Sequence, residues 1–397
     1  MNIIFYRYDS ICEPDYIDAL KAVGLTIIED KQGLSENTLY VDSKIAHLGN
    51  LIADHKPLFV FSINFFPFIA MVCERIKLPY VCVSVDCPVL EIYNNAIKSP
   101  YNRVFLFDQK QYESIKDANP SCIFHLPLGA ATARLDATIG DTTGYDYDVS
   151  FIGSLYTEKD PYGELSLPSE ISTSLEEKMQ CQLQESIYGL EYIENTITDN
   201  EIQCLKDTDP NFYSSALSIR NLDRQIAIDN YIGYHITAME RIKLMNFLAD
   251  NIQPFNLNLF TGSDTTVLSK HVRKRGLAKS FTDMPVIFKK SKINLNTTMR
   301  SIRSGLPQRI WDILGCGGFL LTNYQPELDM FLTPGVHLET YRSHDELIEK
   351  ANYYLTHDKE REEIALNGYR KVCAEDTVLH RVIVIIKTIM ENMENNS

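Results

Sequence analysis

The chain contains no Cys-x-x-Cys pair. Its nine cysteines (Cys12, Cys73, Cys82, Cys87, Cys122, Cys181, Cys204, Cys316 and Cys373) are scattered and odd in number, unlike a disulfide framework or a zinc site. Most sit in apolar stretches, where free cysteine behaves as a small hydrophobe. No long hydrophobic run is present either. The longest uncharged stretch, Pro57 to Cys73, is interrupted by Ser62, Asn64 and Pro67 and is too short to span a bilayer, so no stable membrane insertion is expected. The start, MNIIFYRYDS, lacks a basic region followed by an apolar run, so neither a signal peptide nor an exported location is expected; the chain reads as cytoplasmic. Positive charge is in deficit: 38 Lys and Arg against 53 Asp and Glu give −15, which argues against a nucleic-acid partner. The sequence also has no G-x-x-x-x-G-K-[ST], no G-x-G-x-x-G and no G-x-S-x-G. ATPase, dinucleotide-binding and hydrolase readings therefore lack their fingerprints.

What is present is an α/β pattern. A chain of 397 residues, 45% hydrophobic and 23% charged, is a prior for two or three soluble domains. In the first 150 residues, short apolar runs (NIIFYR, LTIIED, PLFVFSI, YVCVSVD, RVFLFD, IFHLPL) alternate with helical patterns at Asp15–Val23, Phe68–Ile76 and Gln109–Lys116. Strands of continuous Val, Ile and Phe are buried on both faces, which predicts a parallel sheet covered by helices. Ligands bind such sheets beyond the carboxyl ends of the strands. That rule selects Asn64, after VFSI, and Asp86, after CVSV; loop or cap chemistry explains both equally well. Near Tyr147 a Gly, Thr and Asp cluster gives way to a new strand, DVSFIGS. Residues 1–147 are read as one domain and 148–375 as a second. Residues 162–250 are helical in pattern, an insertion in the second domain. Strand and helix alternation resumes with FNLNLFTGS, KINLN, FLLTN and HLETY, and residues 376–397 read as an amphipathic helix packing back on the first domain.

The acidity is uneven. Ser269 to Arg309 holds eleven Lys and Arg against one acid, Asp283. A local anionic ligand accounts for this, and so does a solvated basic face. Within the segment SGLPQRIWDILGCGGFLLT, Ser304 can cap a helix, Pro307 suits its first turn and Gly315 its end. Arg309 and Asp312, three apart, share a face. A helix N-terminus after a Ser-Gly loop can hold a phosphate, while a carboxylate accepts from sugar hydroxyls.

This segment resembles the C-terminal domain of GT-B glycosyltransferases, in the branch related to the spore-maturation CgeB type. The resemblance runs from FTDMPVIFKKSKINLNTTMRSIRSGLPQRIWDILGCGGFLLTNYQPELDMF through PGVHLETYRSHDELIEKANYYLTHDKEREEIALNGYRKV, and more loosely through VFSINFFPF, VSVDCP, HLPLGA and YDVSFIGS. It implies two Rossmann-like domains facing a cleft. Asp312 falls where many such enzymes place the ribose-binding glutamate that closes an E-x7-E motif. The opening glutamate falls at Ser304, a departure that puts the donor sugar in doubt. Arg309 matches an arginine of this branch, and with Arg300, Arg303 and the Gly305–Leu306 amides it is expected to neutralise a diphosphate.

The turns Gly153–Ser154 and Gly262–Ser263 and the strand-end Asn296 are further donor-site candidates, and Glu327 lies where related enzymes face the donor sugar. Asn64 and Asp86 are assigned to the acceptor side, with Asp86 as the one nameable base. The two D-x-D strings, Asp146/Asp148 and Asp207/Asp209, do not end strands of a nucleotide-binding unit, so no metal and no cofactor is expected. The implied activity is a metal-independent, retaining transfer of a sugar from a nucleotide diphosphate sugar, a UDP-sugar first, to a hydroxyl of a glycan or protein. The alternatives are a nucleotide-sugar epimerase or hydrolase and a catalytically silent scaffold of the same fold.

Overall fold

A computed structural model describes residues 1–34 and 40–394. The chain forms two compact units. The first holds residues 1–131, 217–220 and 375–397; the second holds 132–216 and 221–374.

In the first unit the elements are β1 (Asn2–Tyr6), α1 (Glu13–Ala22), β2 (Thr26–Asp30), α2 (Val41–His55), β3 (Val60–Ile63), α3 (Pro67–Ile76), β4 (Tyr80–Val83), β5 (Asn102–Leu106), α4 (Gln109–Ile115) and β6 (Ile123–His125). All six strands pair in parallel in the order β2-β1-β3-β4-β5-β6. Every residue of β3, β4 and β5 is buried, the burial on both faces that their unbroken apolar runs require.

The second unit begins with α5 (Thr132–Ile139) and β7 (Tyr147–Ile152). The helical insertion follows as α6 (Ser169–Glu185), α7 (Glu191–Thr196), α8 (Asp199–Thr208), α9 (Asp223–Ile226) and α10 (Gly233–Asn251). Next come β8 (Leu257–Phe260), β9 (Val272–Gly276), α11 (Met284–Lys289), β10 (Ser291–Asn296), α12 (Gln308–Gly315), β11 (Leu320–Asn323), α13 (Leu328–Phe331), β12 (Glu339–Tyr341), α14 (His344–Thr356) and α15 (Asp358–Glu375). These strands are also all parallel, in the order β12-β11-β10-β7-β8-β9. The sequence reading places a boundary at Tyr147, whereas the compact units divide after Ala131, because α5 packs on α11 and α12.

The last helix, α16 (Val378–Glu394), belongs to the first unit. Val378, Val382, Ile385 and Ile389 recur at helical spacing and join the core of Ile3, Phe5, Phe61 and Val81. Each such burial is worth about 1.5–3 kcal/mol. The Ala130 amide donates to the Asp376 carbonyl and the Val378 amide to the Ala130 carbonyl, which brings the chain back into that unit.

Between α9 and α10 the helix continues through a π turn, Ala227–Ile232. A π turn releases carbonyls from the i→i+4 ladder, and the Asp229 carbonyl accepts from Ser301 Oγ at 2.6 Å. The loop after β10 is pinned to the helix there. A Cβ on Gly233 would lie 2.3 Å from Ser301 Oγ and 3.1 Å from the Ile228 carbonyl. Gly233→Ala should therefore cost about 1–3 kcal/mol by overpacking, and Ser301→Ala should restore part of it. Urea unfolding followed by fluorescence of Trp311, the only tryptophan and fully buried in this unit, checks both.

Candidate functional site

In the second sheet the chain leaves β7 toward β8 and β9 on one side and returns to β10, β11 and β12 on the other. The topological switch thus lies between β7 and β10, and the crevice beyond their carboxyl ends is where an open parallel sheet binds its ligand. Gly153–Ser154 leaves β7 at this point and Gly262–Ser263 leaves β8 beside it. Ser263 Oγ accepts from the Leu155 amide at 2.8 Å, so the two turns are tied together. Ser154 Oγ accepts from the Tyr156 amide and donates to Glu158.

From β10 the chain runs through a buried loop, residues 297–306, held almost wholly by side chains. Asn296 donates to Thr298 Oγ1 and to Thr322 Oγ1 on β11, and Asn323 Oδ1 accepts from the Thr298 amide at 2.8 Å. Asn296 therefore fixes the loop to its neighbouring strand. Ser304 Oγ donates to Glu327 Oε1 at 2.7 Å, and the Glu327 amide returns a bond to the Ser304 carbonyl. These two candidates, 23 positions apart in sequence, meet at the ends of β10 and β11. Gly305 lies buried next to them, just before α12.

The three arginines divide. Arg300 is 1% exposed, and all its guanidinium nitrogens donate inside the protein: Nε and Nη2 to Glu240 at 2.8 and 2.7 Å, Nη1 to the Ser186 carbonyl. Arg303 pairs with Glu194 and Asp229. Both are expected from the sequence to neutralise a diphosphate; in the free protein each is held by carboxylates that anchor the loop to the helical insertion. Arg309 differs. Its nearest carboxylate oxygen, on Asp312, is 3.9 Å away; Nη1 lies 3.1 Å from the Met284 sulfur, and the guanidinium sits over the Phe288 ring. Burial draws its pKa below the ordinary arginine value, which Asp312 only partly opposes. Asp312 itself accepts from Gln308 Nε2 at 2.9 Å.

Sequence reasoning missed Arg241. It projects from α10 and is 8% exposed. Nη1 donates to the Ser154 carbonyl at the end of β7 and Nη2 to the Thr297 carbonyl at the end of β10, so the guanidinium bridges the switch point. It lies over the Tyr156 ring, 4.7 Å from the centroid, and its Nε has no hydrogen-bond partner. Burial lowers its pKa, and the charge of Arg309 contributes in the same direction. The signal was available: Thr237, Arg241, Leu244, Met245 and Leu248 follow helical spacing, which places a cation on an otherwise buried stripe.

In the first unit, Asn64 takes a left-handed backbone conformation, φ 56°, at the carboxyl end of β3. Its Nδ2 donates to Tyr8 Oη at 2.8 Å and to Asp86 Oδ2 at 2.6 Å, while Oδ1 accepts from Ser84 Oγ and the Val85 amide. Asn64 thus holds an exposed carboxylate in place, a geometry suited to receiving a hydroxyl. Burial pushes the Tyr8 phenol up.

Comparison with known proteins agrees with this architecture. Residues 256–387 match the family described as glycosyl transferase-like. No curated protein sequence matches the chain. Among solved structures, sucrose-phosphate synthase from Thermosynechococcus elongatus matches with a TM-score of 0.57 at 9% identity, covering 100% of both chains. Anabaena Alr3699/HepE in complex with UDP-glucose matches with a TM-score of 0.55 at 10% identity, over 98% of this chain and 100% of that one. A putative UDP-N-acetylglucosamine 2-epimerase from Listeria monocytogenes matches with a TM-score of 0.53 at 11% identity, over 98% and 96%. The chain has the GT-B fold, and its residues 256–387 match the glycosyl transferase-like family.

Proposed function

We propose that this protein transfers a sugar from a nucleotide diphosphate sugar to an acceptor hydroxyl, and that it belongs to the branch related to the spore-maturation CgeB type. The observation that carries the reading is the pair Arg241 and Arg309. Arg241 is buried and Arg309 partly buried in the unit that holds the switch point, both are depressed in pKa by burial, and among the described residues neither has a carboxylate within 3.5 Å. A diphosphate would supply the charge they lack. As the sugar–phosphate bond loosens, charge builds on the departing diphosphate, and fixed guanidinium donors stabilise it more than they stabilise the ground state. Two such cations make the proposed transfer metal-independent. Asp312 holds the ribose, with Glu327 and Ser304 on the sugar side. Gly153, Ser154, Gly262 and Ser263 let the backbone approach the nucleotide.

A UDP-sugar is the favoured donor, since the Anabaena protein of this fold was solved with UDP and glucose. Asn64 and Asp86 orient an acceptor hydroxyl of a glycan or protein, and retention of configuration is proposed from the family resemblance. A cytoplasmic location belongs to the same reading. No helix among the described residues is long and apolar enough to cross a membrane.

Calorimetric titration with UDP, GDP, ADP and CMP, in EDTA and again with Mn²⁺, tests this. One nucleotide should bind in EDTA, and Asp312→Ala should weaken it at least tenfold with the melting temperature unchanged. Binding of none, with or without the metal, would turn the reading to a silent scaffold. Turnover of the donor without any acceptor would instead favour the epimerase or hydrolase.

A further inference from the structure

A cavity of about 200 Å³ lies at the opposite end of the second sheet, lined by Tyr145, Lys289, Ser291, Lys292, Gly317 and Arg361, among others. Ser291 and Lys292 open β10, whereas the crevice begins beyond Asn296, the last residue of that strand. At about 3.3 Å per residue the two sites are roughly 17 Å apart along β10.

Three cations converge on this cavity, and they are unequally balanced. Among the described residues no carboxylate pairs with Lys289, whose Nζ would lie 3.3 Å from a Cβ on Gly317. Gly317 sits at φ 63°, so a side chain there would be strained as well as close to that ammonium. Lys292 reaches an Asp148 oxygen only at 3.9 Å. Arg361 is 1% exposed; Nη1 donates to the Tyr354 carbonyl and to Asp358 at 2.6 Å, and the guanidinium lies over the Tyr145 ring, 5.0 Å from its centroid, yet Nε and Nη2 have no hydrogen-bond partner. Glu362 also lines the cavity and accepts from Tyr145 Oη at 3.0 Å.

Cations near helix ends often serve to satisfy terminal carbonyls, and α11 and α12 both end here. The carbonyls before the last residue of each helix already have donors. Val286 receives the Lys290 amide, Ile287 receives Ser291 Oγ, and Phe288 receives Asn294 Nδ2. Ile313 and Leu314 receive the amides of Cys316, Gly317 and Gly318. Helix capping therefore does not account for Lys289, nor for the two open nitrogens of Arg361.

We propose that this cavity is a second anion site, taking a phosphoryl dianion between Lys289 and Arg361. A guanidinium with two adjacent donors left without hydrogen bonds, beside an ammonium, is the pairing that phosphate oxygens favour. Either inorganic phosphate or a phosphate monoester such as a sugar phosphate supplies that chemistry. The site does not depend on the function proposed for the crevice.

The test is calorimetry and thermal melting in a phosphate-free buffer at constant ionic strength. Inorganic phosphate and glucose 1-phosphate are titrated separately into the full chain. Saturable binding with a rise in melting temperature is expected. Lys289→Gln should weaken it at least tenfold, Lys289→Arg should retain it, and Arg309→Ala should leave it unchanged. Lys289 is half-exposed and unpaired, so its variants should fold. A monoester bound more tightly than phosphate would identify a sugar phosphate as the ligand, and equal affinities would show that the phosphoryl group alone is read. A rise that never saturates and is the same in Lys289→Gln would be the general stabilisation by an excluded salt, and would overturn the proposal. So would binding lost in Arg309→Ala and kept in Lys289→Gln, which would put the anion in the crevice.

Discussion

Arg309→Ala should lower kcat/KM for a UDP-sugar by about 10²–10³, equivalent to about 3–4 kcal/mol of transition-state stabilisation, while the melting temperature moves little. The asymmetry follows from what Arg309 does in the free protein. Its one carboxylate neighbour is 3.9 Å away, and its other contacts are a sulfur and an aromatic ring. Removing it breaks no tight ion pair and relieves a charge that burial disfavours. Whatever Arg309 contributes is therefore realised only when an anion arrives. Arg309→Lys should recover only a small part of the activity, because a lysine offers a point charge where the guanidinium offers a planar fork. Steady-state release of UDP from a UDP-sugar, with a parallel melting curve, reads both effects. An activity loss matched by a fall in melting temperature would sink the assignment, since it would show that Arg309 acts on the fold.

Arg241 cannot be tested so simply. It packs over Tyr156 and Phe151 and bonds two strand-end carbonyls, so its removal would disturb the structure along with the proposed ligand binding. This is also why it was hard to see in the sequence. Within the long helical run containing AMERIKLMNFLAD, Arg241 follows Glu240 and precedes Lys243, and reads as one more surface charge. Only its register with Thr237, Leu244 and Leu248 marks it as inward-facing. The strands were far more legible, because parallel strands buried on both faces appear as unbroken apolar runs. The exception is β9. It is an edge strand, VRKRG, with four of five residues exposed. Its basic residues blunt the edge against further pairing, and the same composition conceals the strand from a reading based on hydrophobicity.

Site residues close in sequence were recognisable as a group, whereas their division of labour was not. Arg300, Arg303 and Arg309 form one basic series in the sequence. The partners of Arg300 and Arg303, namely Glu240, Glu194 and Asp229, all come from the helical insertion, 60 to more than 100 residues away, and nothing local encodes those pairings. The same holds for Ser304 and Glu327. The position that departs from the E-x7-E pattern is occupied by a hydroxyl that bonds a carboxylate delivered from the next strand. Tertiary structure thus brings an acid to the place where the local motif lacks one.

The division among the arginines predicts a large stability effect at a residue with no role in the proposed chemistry. Glu240→Ala leaves the Arg300 guanidinium buried without its bidentate partner. Breaking one side of a buried ion pair costs roughly 3–5 kcal/mol, because the remaining charge is desolvated and uncompensated. Replacing both partners with apolar residues removes that penalty, so Glu240→Leu with Arg300→Leu should recover most of the loss. The recovery should fall short by about 1 kcal/mol, since the Ser186 carbonyl loses its donor. Urea unfolding monitored through Trp311 isolates the unit in which the pair lies, so the other unit does not obscure the transition. Nucleotide titration of the double variant then separates the two possible roles of Arg300. If the pair is an anchor for the loop, the refolded double variant binds its nucleotide within a few-fold of wild type. If stability returns and binding does not, Arg300 contacts the ligand after all, and the geometry of the free protein has hidden a residue that changes partners when the donor arrives.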